Sequence, residues 1–142
     1  MIMFKLAQNK KEMNDVFHVR TEVFVDEQNV PLENEIDEYE DSSTHIIGYD
    51  ENDQAIATAR YRNVDGAAKI ERVAVIKTLR NQGIGKSLMT FIEDAVRKDG
   101  FTQAVLNGQV QAQPFYEALG YQAEGDIFLE ENIEHVVMKK SL

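Results

Sequence analysis

The sequence contains no cysteine and no tryptophan, and only two of its 142 residues are proline. The absence of cysteine excludes disulfides, a thiol nucleophile and any cysteine-ligated metal site. No apolar run approaches the length of a membrane-spanning helix, and the N-terminus becomes polar too early for a signal peptide. We therefore expect a single cytoplasmic domain over residues 1–142, long enough to bury a sizeable core.

Basic residues are scarce relative to acidic ones, 15 against 25, so the formal net charge is −10 at pH 7. This charge repels nucleic acid and anionic membranes, and neither is an expected partner. It is compatible with a cationic partner. An acidic surface is also a common means of keeping a protein soluble, so the charge by itself identifies no ligand.

Residues 70–98 predict a strand, a glycine-bearing turn and a helix, in that order. The strand is rich in β-branched residues, and the helix has apolar residues at a spacing of 3.6. Gly83 and Gly85 let backbone N–H groups face inward, while the helix N-terminus, Arg80 and Lys86 add positive charge. The turn therefore predicts a site for a phosphate-bearing ligand.

Two phosphate-binding motifs compete for this turn. Gly-Lys-Ser at residues 85–87 resembles the end of a P-loop, but that loop needs glycine at the position of Arg80. The competing pattern is Arg-x-x-Gly-x-Gly, which Arg80, Gly83 and Gly85 match. That pattern is the pyrophosphate-binding signature of the GNAT acyltransferases.

A second segment, residues 115–121, reads Phe-Tyr-Glu-Ala-Leu-Gly-Tyr and resembles the GNAT segment Phe-Tyr-Glu-x-x-Gly-Phe. It follows the first motif at the expected distance, after one more predicted strand at 103–107. With both motifs in this order, the chain resembles the GNAT family over nearly its whole length. Residues 20–28 further resemble the small ElaA-like branch of bacterial GNAT proteins.

Read in order, the patterns predict β-α-loop-β-β-β-α-β-α-β-β. The first helix begins after Asn9 and runs to about Val25, and the predicted loop covers residues 26–43. The order matches the fold that the resemblance implies. That fold is α/β, with a mixed, mostly antiparallel sheet of about seven strands and helices on both faces.

The resemblance implies acetyl-CoA as cosubstrate. Its diphosphate would lie on the N–H groups of the turn, and its pantetheine arm would pair with the edge of the preceding strand, where a backbone N–H would polarise the thioester carbonyl. Gln109 replaces an asparagine that usually helps hold the pantetheine. The residues assigned to the cosubstrate are Val73, Ala74, Val75, Arg80, Asn81, Gln82, Gly83, Ile84, Gly85, Lys86, Ser87 and Gln109. The three histidines lack metal-ligand spacing, so no metal is expected.

Tyr116 corresponds to the tyrosine that protonates departing CoA in many GNAT members. A phenol is a neutral donor at pH 7, with a reference pKa of about 10, which suits stabilisation of a thiolate. The alternative is an ordinary helical aromatic residue packed on the core. The motif position favours the catalytic role.

Glu71 is the first candidate for the base that deprotonates the acceptor. Strand alternation places it on one face with Val73 and Val75, and a partly buried carboxyl can have a raised pKa. A salt bridge with Arg60, Arg62 or Arg72 is the alternative. His45 and His135 lie on predicted strands and are further candidates, since histidine titrates near neutrality.

The acceptor side is predicted from Arg20 and from the acidic segment 33–41. In GNAT proteins this region covers the acceptor cleft, so its acids are candidates for recruiting an amine, although most acidic runs are only solvated. Arg20 lies on the apolar stripe of the first helix. It either snorkels from the edge of that stripe or lines the cleft and meets Glu27 or Asp37. Arg20, Glu27 and Asp37 are therefore the predicted acceptor-site residues. The acceptor stays open among polyamines, aminoglycosides, amino sugars, protein N-termini and lysine side chains, and the acids of this segment favour a cationic small molecule.

The leading interpretation is an N-acetyltransferase that moves the acetyl group to a primary amine by direct attack in a ternary complex. An acyl-cysteine intermediate is excluded because the chain has no cysteine. One alternative is a catalytically weak acyl-CoA-binding regulator with the same fold. Another is an acyl-homoserine-lactone synthase, for which the chain is short. The sequence itself favours no oligomeric state; GNAT proteins are often dimers, and a homodimer is the assembly that this analogy suggests.

Overall fold

The computed structural model describes residues 1 to 142. The strands are β1 (Met3–Leu6), β2 (Thr44–Tyr49), β3 (Ala55–Val64), β4 (Ala67–Val75), β5 (Gln103–Gln109), β6 (Gln122–Glu130) and β7 (Ile133–Ser141). The helices are α1 (Lys10–Arg20), α2 (Leu32–Glu35), α3 (Ile84–Lys98) and α4 (Gln113–Ala118). A π-helical segment, Thr21–Glu27, continues α1. The predicted order is confirmed, with the short helix α2 inside the predicted loop.

All seven strands belong to one sheet, in the order β1-β2-β3-β4-β5-β7-β6. Neighbouring strands are antiparallel except β4 and β5, which run parallel. The parallel ladder joins only residues 68–70 of β4 to residues 104–106 of β5. Beyond this ladder the two strands separate, and no strand pairs with the rest of that edge of β4. The mostly antiparallel seven-stranded sheet expected from the sequence is confirmed, and the separation opens a gap in it.

A β-bulge interrupts β4 at Arg72. Residues 72 and 73 of β4 together oppose the single residue Ala59 of β3, since the register shifts at this point. Arg72 has a φ of +56°, a left-handed conformation that costs an L-residue other than glycine about 1–2 kcal/mol. Its guanidinium lies 3.3 Å from the carboxylates of Glu35 and Asp37.

The bulge reverses which face of the sheet the side chains of β4 occupy. Ile70 belongs to the larger core cluster, and Val73 and Val75 pack against that same cluster. Ala74 instead belongs to the smaller cluster on the opposite face. Simple alternation would place Glu71 with Val73 and Val75, and that expectation was wrong. The extra residue at the bulge puts Glu71 on the opposite face from them.

The core has two layers, one on each face of the sheet. On one face α3 buries Leu88, Ile92 and Val96 against strand residues, as its apolar spacing predicts. On the other face α1 and its π-helical continuation bury Val16, Val19 and Val23 against the sheet. Helices on both faces confirm the expected layers. None of the helices combines the length and the apolar character that crossing a membrane requires.

Candidate active site

The gap between β4 and β5 is a cavity of about 390 Å³. One wall is the edge of β4 over residues 71–75, which has no partner strand on that side. The opposite wall carries Gln109 of β5 and Tyr116 of α4. An unpaired strand edge offers N–H and C=O groups to an extended ligand, in the way that a sheet accepts an added strand. The gap is therefore a ready site for a linear, amide-containing molecule.

The turn before α3 offers a row of free backbone donors at one end of this gap. The N–H groups of residues 81–86 have no hydrogen-bond acceptor within the chain. Asn81 and Gly83 have φ values of +64° and +82°, which turn the backbone so that it leads into α3. Successive free N–H groups at a helix N-terminus bind anions such as phosphate.

Within that turn the predicted residues contribute in different ways. The side chain of Ile84 is buried in the core, so only its N–H faces outward. Ser87 donates its N–H to the carbonyl of Gly83 at 3.1 Å and is not among the free donors. Lys86 is exposed on the first turn of α3 and adds a positive charge there.

Arg80 joins the turn to two other elements. Its Nε donates to the carbonyl of Val75 at 3.0 Å. Its two terminal nitrogens donate to both carboxylate oxygens of Glu27, at 2.6 and 2.7 Å. The hydrogen bond from Arg80 is the main reason that the pKa of Glu27 is lowered. Arg80 thus lies at the predicted place, with a carboxylate already paired to it.

Tyr116 lies where β4 and β5 separate, on the α3 side of the sheet. It is 8% exposed, lines the gap, and its hydroxyl makes no hydrogen bond within the chain. Burial raises its pKa to about 12, which keeps the phenol protonated at neutral pH. A Cβ added at Gly108 would lie 3.3 Å from the tyrosine ring. Glycine at 108 therefore lets this ring sit close to β5, with an unpartnered hydroxyl at the gap.

The cleft thus combines an open β4 edge, a turn of free N–H groups before α3, and a tyrosine. The sequence that forms these features also matches a known protein family. The acetyltransferase (GNAT) domain profile matches residues 7–142. The chain belongs to the GNAT acetyltransferase family.

The relatives agree on fold and class. The chain is 43% identical over 136 residues to the uncharacterized N-acetyltransferase YjcF of Bacillus subtilis, covering 95% of this chain and 96% of that protein. It is similar to Escherichia coli ElaA, at 26% identity and a TM-score of 0.87 over 99% of each chain. It is also similar to an acyl-CoA N-acyltransferase of Pseudomonas aeruginosa, at 28% identity and a TM-score of 0.87, over 99% of this chain and 98% of that one. The resemblance to the family and to its ElaA-like branch is confirmed.

Family membership makes this chain an acyl-CoA-dependent acetyltransferase with acetyl-CoA as its cosubstrate. The free donors of residues 81–86 fit a diphosphate, and the open edge of β4 fits a pantetheine arm with its two amides. No group of three histidine, aspartate or glutamate side chains is arranged to hold a metal ion.

Gln109 lies on the β5 wall of this GNAT cleft. Its amide nitrogen donates to the side-chain oxygen of Gln28 at 3.0 Å, and its own oxygen accepts from Gln111. These contacts join the end of β5 to the segment that follows the π-helix. The residue is at the predicted position, but its amide is already engaged by two neighbouring glutamines.

Glu71 lines the cleft, and its surroundings differ from those expected of a base. Its carboxylate accepts hydrogen bonds from Arg60 at 3.1 Å and Arg62 at 2.9 Å, and Lys69 lies 3.5 Å away. Burial alone would raise the pKa of Glu71, but the hydrogen bond from Arg62 and the charges of Arg60 and Lys69 outweigh it, so the pKa is lowered. The predicted rise in pKa was wrong. The alternative, a salt bridge to neighbouring arginines, describes this residue.

Arg20 is buried and does not meet the acids predicted for it. Its guanidinium lies 2.6 Å from Glu35 and 2.7 Å from Glu40. The expected partners are elsewhere: Glu27 pairs with Arg80, and Asp37 pairs with Arg60. The sequence correctly predicts that Arg20 lies on the apolar face of its helix. Which of several nearby acids pairs with Arg20 depends on how segment 31–43 folds back.

Asp37 is also held by arginines. Its carboxylate lies 2.7 Å from Arg60 and 3.3 Å from Arg72. Burial opposes its ionisation, but Arg60 outweighs burial and the pKa of Asp37 is well below its usual value. Neither Arg20, Glu27 nor Asp37 lines the cleft itself. Several acids of segment 33–41 thus anchor it to the sheet, and the bulged Arg72 shares in that anchoring.

The two strand histidines occupy different places. His45 hydrogen-bonds the carbonyl of Glu40 through Nε2 at 2.8 Å, and it does not line the cleft. His135 of β7 does line it. Sequence reasoning missed Glu130 and Glu131, which the β6–β7 hairpin brings to the same cleft. Two acids in a turn next to a strand histidine were the available signal, but only the pairing of β5 with β7 places them here.

Proposed function

We propose that this protein transfers the acetyl group of acetyl-CoA to a primary amine by direct attack within a ternary complex. The observation that carries the proposal is the alignment of three groups along one cleft. These are the free N–H groups of residues 81–86, the open β4 edge at 71–75, and the unpartnered hydroxyl of Tyr116. They match the diphosphate, the pantetheine and the thioester sulfur of one extended ligand.

The diphosphate would accept hydrogen bonds from the N–H groups of Asn81, Gln82, Gly83, Ile84, Gly85 and Lys86. The positive end of α3 and the charge of Lys86 favour an anion there. Arg80 would contribute its charge by sharing its guanidinium between Glu27 and the diphosphate. Ser87 lies one residue further into the helix, where its hydroxyl rather than its N–H is available.

The pantetheine arm would pair with the edge of β4 at Val73, Ala74 and Val75, with Gln109 on the other wall. A backbone N–H of this edge would donate to the thioester carbonyl oxygen as it becomes an oxyanion. One pre-positioned donor of this kind typically contributes about 3 kcal/mol to lowering the barrier. This part of the edge lies beyond the last residue of β4 that pairs with β5, so it faces the cleft rather than a neighbouring strand.

In the reaction, the neutral amine nitrogen attacks the thioester carbonyl carbon and a C–N bond forms. The tetrahedral intermediate collapses, the C–S bond breaks, and the sulfur leaves with the electron pair of that bond. Tyr116 donates its proton to the departing sulfur and then regains one, so the phenolate that burial disfavours does not accumulate. Since the chain has no cysteine, no acyl-cysteine intermediate intervenes.

The test is a panel of primary amines incubated with the protein and acetyl-CoA. The panel contains diamines, amino sugars, amino acids and lysine peptides. We expect release of CoA thiol that depends on one amine class, with the acetylated amine identified by mass spectrometry. Binding of acetyl-CoA without acetylation of any amine would contradict the proposal and favour the acyl-CoA-binding regulator.

We further propose that the protein forms a homodimer. Edge strand β6 supports this, since it has no second neighbour and carries exposed Ile127 and Leu129, at 55% and 68% exposure. Light scattering after size exclusion should give twice the chain mass of 16.2 kDa. A mass of one chain at micromolar concentration would contradict this part of the proposal.

A further inference from the structure

His135 lies on β7 opposite Gln109 of β5 and Phe128 of β6. Its neighbours along the strand, Val136 and Met138, belong to the core cluster on the α3 side. By strand alternation His135 therefore projects to the other face, on the side of α1 and α2. It is 6% exposed and lines the cleft, so its contact with the exterior is through the cleft.

The hydrogen bonding of His135 fixes which ring nitrogen can accept a proton. Nδ1 lies 2.7 Å from the carbonyl oxygen of Ile133. A carbonyl only accepts, so Nδ1 carries the hydrogen and Nε2 carries the lone pair. Nε2 has no hydrogen-bond partner, and the nearest carboxylate oxygen belongs to Glu130, 3.7 Å away. A nine-tenths buried imidazole thus presents an unpartnered, proton-accepting nitrogen at the cleft.

The acids around the cleft fall into two groups. Glu35 and Glu71 are each held by at least two basic side chains. Neither Glu130 nor Glu131 has a lysine or arginine side chain within salt-bridge distance, and Glu130 lies beside the neutral imidazole of His135. Glu130 accepts from the amide of Asn107 at 3.4 Å, and Glu131 accepts from the amide of Asn34 at 3.2 Å. The negative charge that remains uncompensated at this cleft is therefore on the β6–β7 hairpin.

The turn geometry keeps these two carboxylates at the cleft. Glu131 and Asn132 have φ values of +51° and +60°, the left-handed pair of a tight hairpin turn. The contact between Asn34 and Glu131 joins this turn to α2 across the cleft. An acceptor that enters the cleft beside this contact would meet Glu130 and His135 together.

From this geometry we propose that His135 is the catalytic base, and that Glu130 holds the ammonium group of a cationic acceptor against Nε2. The inference rests on the proposed function and names its acceptor class, an amine with net positive charge. The ammonium loses two protons during the reaction. One passes to Nε2 and then to water, and the second replaces the proton that Tyr116 delivers to the sulfur.

The acidic groups that β4 and α2 place at the cleft near His135 are held in salt bridges, so they are less suited to act as the base. From β4, Lys69, Glu71 and Arg72 face the cleft, where Glu71 is bonded to arginines. From α2 the charged residue is Glu35, which is bonded to Arg20. From β5 only the uncharged Asn107 and Gln109 face it.

The test compares the pH dependence of kcat/KM for acetylation of 1,4-diaminobutane in the wild-type protein and in His135→Asn. Asparagine keeps an amide N–H near the position of Nδ1 and removes the proton-accepting nitrogen. We expect kcat/KM to fall by about 10²–10⁴-fold at neutral pH, with loss of the acidic limb of the profile. His18→Asn, on the exposed side of α1, is the matched control and should retain both. A His135→Asn protein with wild-type rate and acidic limb would overturn the assignment.

Glu130→Gln tests the acceptor contact separately. KM for the diamine should rise about tenfold, with kcat little changed, because the carboxylate attracts the ammonium and does not take its proton. Glu124→Gln, on the same strand but outside the cleft, should change neither value. An unchanged KM in Glu130→Gln would overturn this part. If the wild-type protein acetylates only amines without net positive charge, such as neutral amino acids, the cationic acceptor is wrong while the proposed function stands. If it acetylates no amine, both fail.

Discussion

Arg80 and Glu27 form a two-point ion pair at the edge of the turn before α3, with nitrogen–oxygen distances of 2.6 and 2.7 Å. The pair links the π-helical end of α1 to the turn, although 53 residues separate the two in sequence. The same guanidinium also donates to the end of β4. A carboxylate is therefore already paired with the one arginine of the GNAT signature, and under the proposed function it competes with the diphosphate for that charge.

Removing this competitor should strengthen acetyl-CoA binding. In Glu27→Gln the charge of Arg80 is freed, and we expect the Kd for acetyl-CoA to fall about two- to fivefold, the range that a partly exposed ion pair is worth. Isothermal titration at low ionic strength measures this. The control is Glu22→Gln, an exposed acid of the same helical segment. Weaker binding in Glu27→Gln would show instead that the pair holds Arg80 in its binding position.

The carboxylates that pair with arginines of the sheet should make the fold sensitive to acid. The pKa values of Asp37, Glu40 and Glu71 are all lowered in the folded protein, where arginine contacts outweigh the opposing effect of burial. Their contribution is therefore complete above the ordinary carboxyl values of 3.8 and 4.5 and is lost as the pH falls through the lowered ones. We expect Tm to decline steadily below that range.

Asp37→Asn isolates one member of this set. The variant should have a lower Tm than wild type at neutral pH and a shallower decline between neutral pH and about pH 3, because one linked proton is removed. The exposed Glu38→Gln serves as the control and should follow the wild-type curve. If Tm declines with pH equally in Asp37→Asn and in wild type, protonation of Asp37 is not linked to unfolding.

Gly108 tests how tightly Tyr116 must be placed. A Cβ at this position would lie 3.3 Å from the tyrosine ring and 3.2 Å from the sulfur of Met138. We expect Gly108→Ala to displace the ring by a few tenths of an ångström and to lower kcat about three- to tenfold. The KM for acetyl-CoA should change little, since the diphosphate turn and the β4 edge are untouched. A wild-type kcat in a correctly folded variant would argue against a positional requirement on Tyr116.

Patterns of local origin were predictable from the sequence. The stripe of Ile84, Leu88 and Ile92 predicts α3 because helical spacing depends only on residues close in the chain. The glycines and Arg80 predict the anion turn for the same reason. The position of Tyr116 at the cleft followed from the family motif, and its unpartnered hydroxyl agrees with that placement.

Features that depend on distant pairing were not predictable. No glycine or other local signal marks the bulge at Arg72, which reverses the face of Glu71. The acids available to Arg20 are alike in sequence, and only the folded path of segment 31–43 selects Glu35 and Glu40. His135 was one of two strand histidines with no local difference between them. Its tautomer and its proximity to Glu130 arise from the β6–β7 hairpin.

The measurement that tests the central claim most directly is acetylation of the best amine of the panel by wild type and by Tyr116→Phe, with acetyl-CoA affinity measured in parallel. Phenylalanine keeps the ring, which is packed against Tyr121 at a centroid distance of 5.9 Å, and removes only the hydroxyl. We predict that kcat falls about 10²-fold or more while the Kd for acetyl-CoA stays the same. Equal turnover by both proteins would contradict a role for the Tyr116 hydroxyl in releasing CoA.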